Sequence, residues 1–185
     1  KGTCLTTSTC LLNLNRNGDL TVEKMERYLK SYLGVKKIIW LKGTLKGDDT
    51  DGHVDNLARF VNHTTIVYVS EKNESNENYL SLKGIEESLK KARDPNGKPF
   101  KLIPLPMPRK IKDNNFYLPA SYANFYIGNN VVLLPAFNDP NDKIAQNILQ
   151  SCFPRKKIVP IDSRILIKGL GGIHCITQQQ PMYTE

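Results

Sequence analysis

Strand, helix and strand follow one another three times along this chain, and the helices begin near residues 21, 79 and 139, about 60 residues apart. The first helix has Thr21 as its cap, Glu23 in its first turn and Gly34 just beyond its end, with Met25, Tyr28, Leu29 and Tyr32 forming the stripe expected to be buried. The second, over residues 79–92, places Leu82, Ile85 and Leu89 on one face. The third opens on Asp139-Pro140, a cap followed by the proline that suits a first helical position, and turns Ile144, Ala145, Ile148 and Leu149 to the core. Strands are expected over 4–12, 37–41, 64–70, 100–105, 121–127, 131–135 and 157–161. The run Ile38-Ile39-Trp40-Leu41 reads as buried on both faces. Pro104, Pro106 and Pro108 keep the fourth strand from a central place in a sheet. Residues 13–18 read as a turn-rich connector, and Gly128-Asn129-Asn130 joins a short hairpin.

A period of that length implies an α/β fold of modules set around an axis, or a larger α/β array. A doubly wound nucleotide fold is excluded, because no glycine-rich phosphate loop follows any strand, and Gly169-Leu170-Gly171-Gly172 opens no helix. With 185 residues, 39% of them hydrophobic, the chain can bury a core as one domain. Nothing in it resembles a membrane-spanning stretch or a signal peptide, and Cys4, Cys10, Cys152 and Cys175 have no zinc-ligand spacing and are too sparse for a disulfide framework, so a reducing cytoplasm is expected. The net charge of +8 is spread over pairs and triplets such as Lys36-Lys37 and Arg155-Lys156-Lys157, without interleaved aromatics, so nucleic acid is not an expected partner.

Two stretches carry chemistry. Gly47-Asp48-Asp49-Thr50-Asp51-Gly52-His53-Val54-Asp55-Asn56 gathers four carboxylates and a histidine between glycines. Such a loop draws a cation whatever the global charge. It also allows a solvated or calcium-binding reading through Asp49, Asp51 and Asp55, although the glycine and terminal glutamate of an EF-hand are not in register. Gly171-Gly172-Ile173-His174-Cys175-Ile176-Thr177-Gln178-Gln179-Gln180-Pro181 holds a cysteine that is either a small buried hydrophobe or a nucleophile. A nucleophilic thiol wants a histidine partner. On an extended segment neighbouring side chains point apart, which turns His174 away from Cys175, whereas His53 and Asp55 share a face. His53 is therefore the expected partner, and His63 reads as an exposed loop residue.

These two stretches together resemble those of bacterial agmatine deiminases, which belong with the porphyromonas-type peptidylarginine deiminases in the guanidine-modifying (pentein) superfamily. The resemblance covers nearly the whole chain and includes Leu5-Thr6-Thr7, Tyr32-Leu33-Gly34-Val35, Ala120-Ser121-Tyr122-Ala123-Asn124-Phe125-Tyr126 and Pro135-Ala136-Phe137-Asn138-Asp139-Pro140. It implies a five-bladed α/β propeller, of which this chain holds about three blades as the C-terminal part of one domain over residues 1–185. It implies a cytoplasmic hydrolase of polyamine biosynthesis that converts agmatine to N-carbamoylputrescine and ammonia through a covalent cysteine thiouronium, with no cofactor or metal, and that is compatible with a homo-oligomer. Deimination of free or peptidyl arginine, or a fragment that only binds cations, are the alternatives.

By the same resemblance Cys175 is the nucleophile, His53 the general acid/base and Asp55 a guanidinium-binding carboxylate, while Asp49, Gly171 and Gly172 line the substrate pocket. Gly172 stands where the family has Asn, and Leu14 and Gly18 where it often has prolines. A second guanidinium-binding Asp, in a Trp-x-Arg-Asp-x-Gly-Pro motif, and an acidic residue that orients the histidine are expected to precede residue 1.

Overall fold

A computed structural model describes residues 2–180 of the chain, so Pro181 of the cysteine stretch lies outside the described residues. The expected recurrence is present as three strand–helix–strand units. In the first, β1 (Thr3–Thr7) runs parallel to β2 (Lys37–Leu41), and between them lie α1 (Ser8–Leu11), α2 (Leu14–Asn17) and α3 (Val22–Leu33). In the second, β3 (Ala58–Phe60) is antiparallel to β4 (Thr65–Val69), which runs through α4 (Tyr79–Lys91) to the parallel β5 (Lys101–Leu105). A small hairpin of β6 (Lys112–Asp113) and β7 (Phe116–Tyr117) leads to the third unit. There β8 (Tyr126–Ile127) is antiparallel to β9 (Val131–Ala136), and α5 (Pro140–Cys152) returns the chain to the parallel β10 (Lys157–Asp162).

The second and third units therefore share one plan, an antiparallel strand leading into a parallel pair, while the first sheet has two strands among the described residues. The parallel pairing of β1 with β2, β4 with β5 and β9 with β10 follows from the crossover helix in each unit. β5, with its prolines, is an edge strand, as expected.

Local signals place the helices. Thr21 caps α3 by accepting from the Lys24 N–H at 3.3 Å, and Gly34 ends it in the left-handed region at φ 63°. Asp139 and Asp142 form a reciprocal capping box at the start of α5. Leu82, Ile85 and Leu89 of α4 are buried in the shared core with Leu57, Ile66, Val67, Leu134 and Phe125.

Several expectations need correction: the strand expected over 121–127 is confined to Tyr126–Ile127, and the connector expected over 13–18 holds the short helix α2. The stripe of α3 is mostly uncovered: Met25 is buried, but Tyr28 is 50% and Tyr32 83% exposed, because the two-stranded sheet covers only a narrow part of the helix. On α5, Ala145 and Leu149 are buried while Ile144 is exposed. The first strand stops at Thr7, whose hydroxyl turns back to accept the Cys10 N–H at 3.3 Å and so starts α1 where an extended run to residue 12 was expected. No described helix is long and apolar enough to cross a membrane.

Candidate active site

The acidic stretch and the cysteine stretch meet where the lead-ins to β3 and β8 converge. Gly52 sets the first of them. It sits at φ 93°, and a Cβ there would fall 2.6 Å from both the Gly43 carbonyl oxygen and Thr9 Oγ1, so the loop can lie against α1 only without a side chain. The Thr7 hydroxyl donates to the Gly52 carbonyl from the β1 side. The His53 N–H then donates to Thr50 Oγ1 at 3.2 Å, and a single 3-10 turn, Val54–Asn56, delivers Asp55 inward.

The cysteine stretch is also a 3-10 turn, His174–Ile176, anchored by buried Ile173. Gly171 and Gly172 lie against it so closely that a Cβ on Gly171 would stand 3.1 Å from Cys175 Cβ, and one on Gly172 would stand 2.4 Å from Asn124 Oδ1. The His174 N–H donates to Asn124 Oδ1 at 2.9 Å and lies 3.2 Å from the Asn124 carbonyl oxygen.

Asp55 is the hub. Its Oδ2 lies 2.7 Å from His174 Nδ1 and 3.6 Å from Cys175 Sγ. Its Oδ1 is buried and has no hydrogen-bond partner among the described residues. A buried carboxylate oxygen left open costs free energy until a donor reaches it. Burial pushes the Asp55 carboxyl up, but the hydrogen bond and charge of His174, with Arg59 and His53 adding in the same sense, hold it below the usual carboxylate range. Burial pushes the Cys175 thiol up and the Asp55 charge adds to this, outweighing the Asn124 amide and the Gly172 N–H that favour the thiolate. Cys175 itself is exposed, and all four cysteines are free. The site thus presents an accessible sulfur beside an ionised carboxylate, an arrangement that a cation would complete and that would also stabilise the thiolate.

Arg59 supports this hub from below. Its guanidinium donates to the Phe125 carbonyl at 2.9 Å and stacks on the Phe125 ring with 4.9 Å to the centroid. Burial pulls its pKa down, with Asp55 and Cys175 acting in the opposite sense. It therefore ties the β3 strand to the lead-in of β8.

Of the residues expected from the sequence, Cys175 and Asp55 come together, His53 flanks Asp55, and Gly171 and Gly172 back the cysteine turn. The reason given for setting His174 aside fails, because the segment is a tight turn in which His174 and Cys175 both reach Asp55. The extended-strand reason for grouping His53 with Asp55 fails likewise, since His53 caps a 3-10 turn. Asp49 is exposed and makes no hydrogen bond or ion pair among the described residues. Asp51 pairs with Arg16 at 3.7 Å, and among the described residues no three His, Cys, Asp or Glu side chains converge as metal ligands. Sequence reasoning assigned no role to Asn56, Arg59 and Asn124, which the structure gathers around the hub. The signal available for the two asparagines was their shared place just before an apolar residue that enters a strand. A cleft of about 890 Å³ between Pro106, Met107, Asn141 and Ile144 contains none of these groups.

A family model described as Porphyromonas-type peptidyl-arginine deiminase matches residues 1–181. An agmatine deiminase of Pseudomonas aeruginosa is 37% identical over 199 residues, covering 98% of this chain and 54% of the relative. The solved agmatine deiminase of Enterococcus faecalis matches with a TM-score of 0.93 at 33% identity, covering 98% of this chain and 54% of that one. A cysteine-to-serine variant of the C. jejuni agmatine deiminase with substrate bound matches with a TM-score of 0.88 at 40% identity, covering 94% and 51%. This chain therefore spans about half the length of the curated relatives it matches. It belongs to the Porphyromonas-type peptidyl-arginine deiminase family.

Proposed function

We propose that the chain carries the nucleophile-bearing part of a deiminase that hydrolyses the guanidinium of agmatine to N-carbamoylputrescine and ammonia. The observation that carries this reading is exposed Cys175 with its sulfur 3.6 Å from the half-buried Asp55 carboxylate, whose other oxygen is buried with no partner among the described residues. A guanidinium is planar and cationic, so Asp55 can accept two of its N–H groups side by side and hold its carbon over the sulfur. The bound cation offsets the burial and the Asp55 charge that oppose the thiolate.

Cys175 then attacks the guanidinium carbon and forms a C–S bond, giving a tetrahedral adduct. His53 protonates the departing nitrogen, which leaves as ammonia, and the substrate stays on sulfur as a thiouronium. His53 next takes a proton from water, whose oxygen adds to the same carbon. The C–S bond breaks, the thiolate returns and the ureido product leaves. His53 has this role because His174 Nδ1 is engaged by Asp55, whereas the His53 ring makes no hydrogen bond among the described residues. Asp49 remains the candidate for the rim of the pocket, exposed on the same loop.

The three strand–helix–strand units accord with a five-bladed α/β propeller of which they are the C-terminal part, the rest supplying further carboxylates for the cation. The same reading places the enzyme in the cytoplasm and needs no cofactor. Ammonia release by the protein that carries this chain, measured with agmatine, free arginine and peptidyl arginine, tests it. Turnover of agmatine well above the other two is expected, and preference for an arginine substrate would overturn the substrate assignment. The unpartnered Asp55 Oδ1 among the described residues also favours a second reading, cation binding without turnover by these 185 residues alone. Calorimetry with agmatine and no ammonia release would mark that case.

A further inference from the structure

Beneath the sulfur lies a pair of buried carboxamides that the reaction as written does not use. Asn56 and Asn124 are 2% and 1% exposed, and Asn124 Nδ2 donates to Asn56 Oδ1 at 2.8 Å. They hold corresponding places in two of the repeated units. Each stands two residues before its antiparallel strand, Asn56 before β3 and Asn124 before β8, and each is followed by a fully buried apolar residue, Leu57 or Phe125. Burying two amides at such places costs free energy unless their polar atoms are satisfied.

The orientation of the Asn124 amide follows from its neighbours. A backbone N–H can only donate, and the His174 N–H points at one end of the carboxamide at 2.9 Å, so that end is the oxygen. The other end is the NH₂, and it is turned toward Asn56 and is the nearer end to Cys175 Sγ, 3.2 Å away against 3.7 Å for the oxygen. The Gly172 backbone also acts in the sense that favours the thiolate. The charged and titratable groups around the sulfur are Asp55, which opposes a thiolate, and Arg59, His174 and His53, which face Asp55. Among these, Asn124 is a side chain that donates to the sulfur without carrying charge. A lysine there would repel a guanidinium, whereas an amide stabilises the thiolate and leaves the cation unopposed.

We infer that Asn124 is a catalytic residue of the Cys175 centre, its carboxamide N–H stabilising the thiolate while its oxygen fixes the cysteine turn, and that Asn56 is a positioning residue acting through Asn124. The inference rests on Cys175 being the nucleophile. Gly172 fits the same arrangement, since the space a Cβ would fill is occupied by the Asn124 carboxamide.

The test is the alkylation rate of Cys175 by iodoacetamide from about pH 6 to about pH 10, read by peptide mass spectrometry. Cys10, buried at 7% exposure, serves in the same digest as a reporter that the fold is intact. Asn124→Ala is expected to slow alkylation at neutral pH about tenfold and to move the midpoint upward by about one pH unit. Asn124→Asp, with the same shape and a charge of the wrong sign, is expected to slow it more, and Asn56→Ala less than either. At high pH the variants should converge on one limiting rate, which a merely loosened turn would not produce. An unchanged midpoint in Asn124→Ala with Cys10 still protected overturns the inference. Should Asn124→Ala open the fold, Asn124→Asp carries the test, and a midpoint equal to that of the unsubstituted protein overturns it. Ammonia release measured alongside separates the two claims. Agmatine turnover that survives with an unshifted midpoint removes the role of Asn124 alone, whereas turnover in Cys175→Ser removes the deiminase mechanism.

Discussion

Replacing Gly172 by alanine would place a methyl carbon 2.4 Å from Asn124 Oδ1, 2.8 Å from its Cγ and 3.0 Å from its Cβ. Neither side can yield cheaply. The Asn124 amide is held by the His174 N–H at 2.9 Å and by Asn56 at 2.8 Å, and it is almost fully buried. If Asn124 is displaced, those two hydrogen bonds are lost at about 1 kcal/mol each. If the backbone moves instead, overpacking costs about 1–3 kcal/mol. Against this, alanine restricts the unfolded chain and returns about 0.5 kcal/mol. The net expectation is a loss of about 1.5 kcal/mol, or a fall in Tm of about 3–6 °C for a protein of this size. The decisive assay is a double-mutant cycle by urea or thermal denaturation. With Asn124→Ala as background the clashing atoms Oδ1 and Cγ are gone and only the 3.0 Å approach of Cβ remains, so Gly172→Ala should there cost clearly less. Equal costs in the two backgrounds would refute the close-approach reasoning.

Other outcomes follow from the same geometry. Tyr122, fully buried, donates to Asp142 Oδ1 at 2.6 Å, so Tyr122→Phe should cost about 1.5 kcal/mol in denaturant unfolding, and an unchanged midpoint would contradict that bond. Asp55→Asn removes the charge that holds the cation and should lower kcat/KM for agmatine by about 100-fold or more, whereas near-normal kinetics would reduce the acidic stretch to a surface loop. The Asp55 carboxyl is held below the usual range, so its contribution to stability is present above the ordinary value of about 3.9 and disappears as pH falls through its folded value. Tm measured from about pH 5 downward should therefore fall less steeply in Asp55→Asn than in the unsubstituted protein, and parallel curves would contradict the shift.

The units of this fold were legible where periodicity and caps agreed. Leu82, Ile85 and Leu89 marked α4, Asp139-Pro140 marked α5, and the 60-residue recurrence of helices at about 21, 79 and 139 appears as α3, α4 and α5. The elements shorter than one period were not. α1 and α2 span four residues each and are set by Thr7 and Asn13 side chains accepting backbone N–H groups, a competition that hydrophobic pattern does not register. In the site, Cys175, His53 and Asp55 stood out because the two stretches that hold them together resemble those of bacterial agmatine deiminases; from the residues alone Cys175 could equally have been a small buried hydrophobe. Asn124 did not, because an amide between Ala123 and Phe125 looks like an interruption of a strand until the cysteine turn is seen resting on it. His174 was set aside for an extended backbone that the Gly171-Gly172 approach converts into a turn.

The central claim is covalent catalysis at Cys175. Its most direct measurement is mass spectrometry of the unsubstituted protein that carries this chain, acid-quenched during turnover of agmatine and mapped by peptide. The account predicts an adduct on Cys175 equal to agmatine less ammonia, absent from Cys4, Cys10 and Cys152 and absent in Cys175→Ser. Ammonia release by Cys175→Ser, or an adduct on another residue, would contradict it.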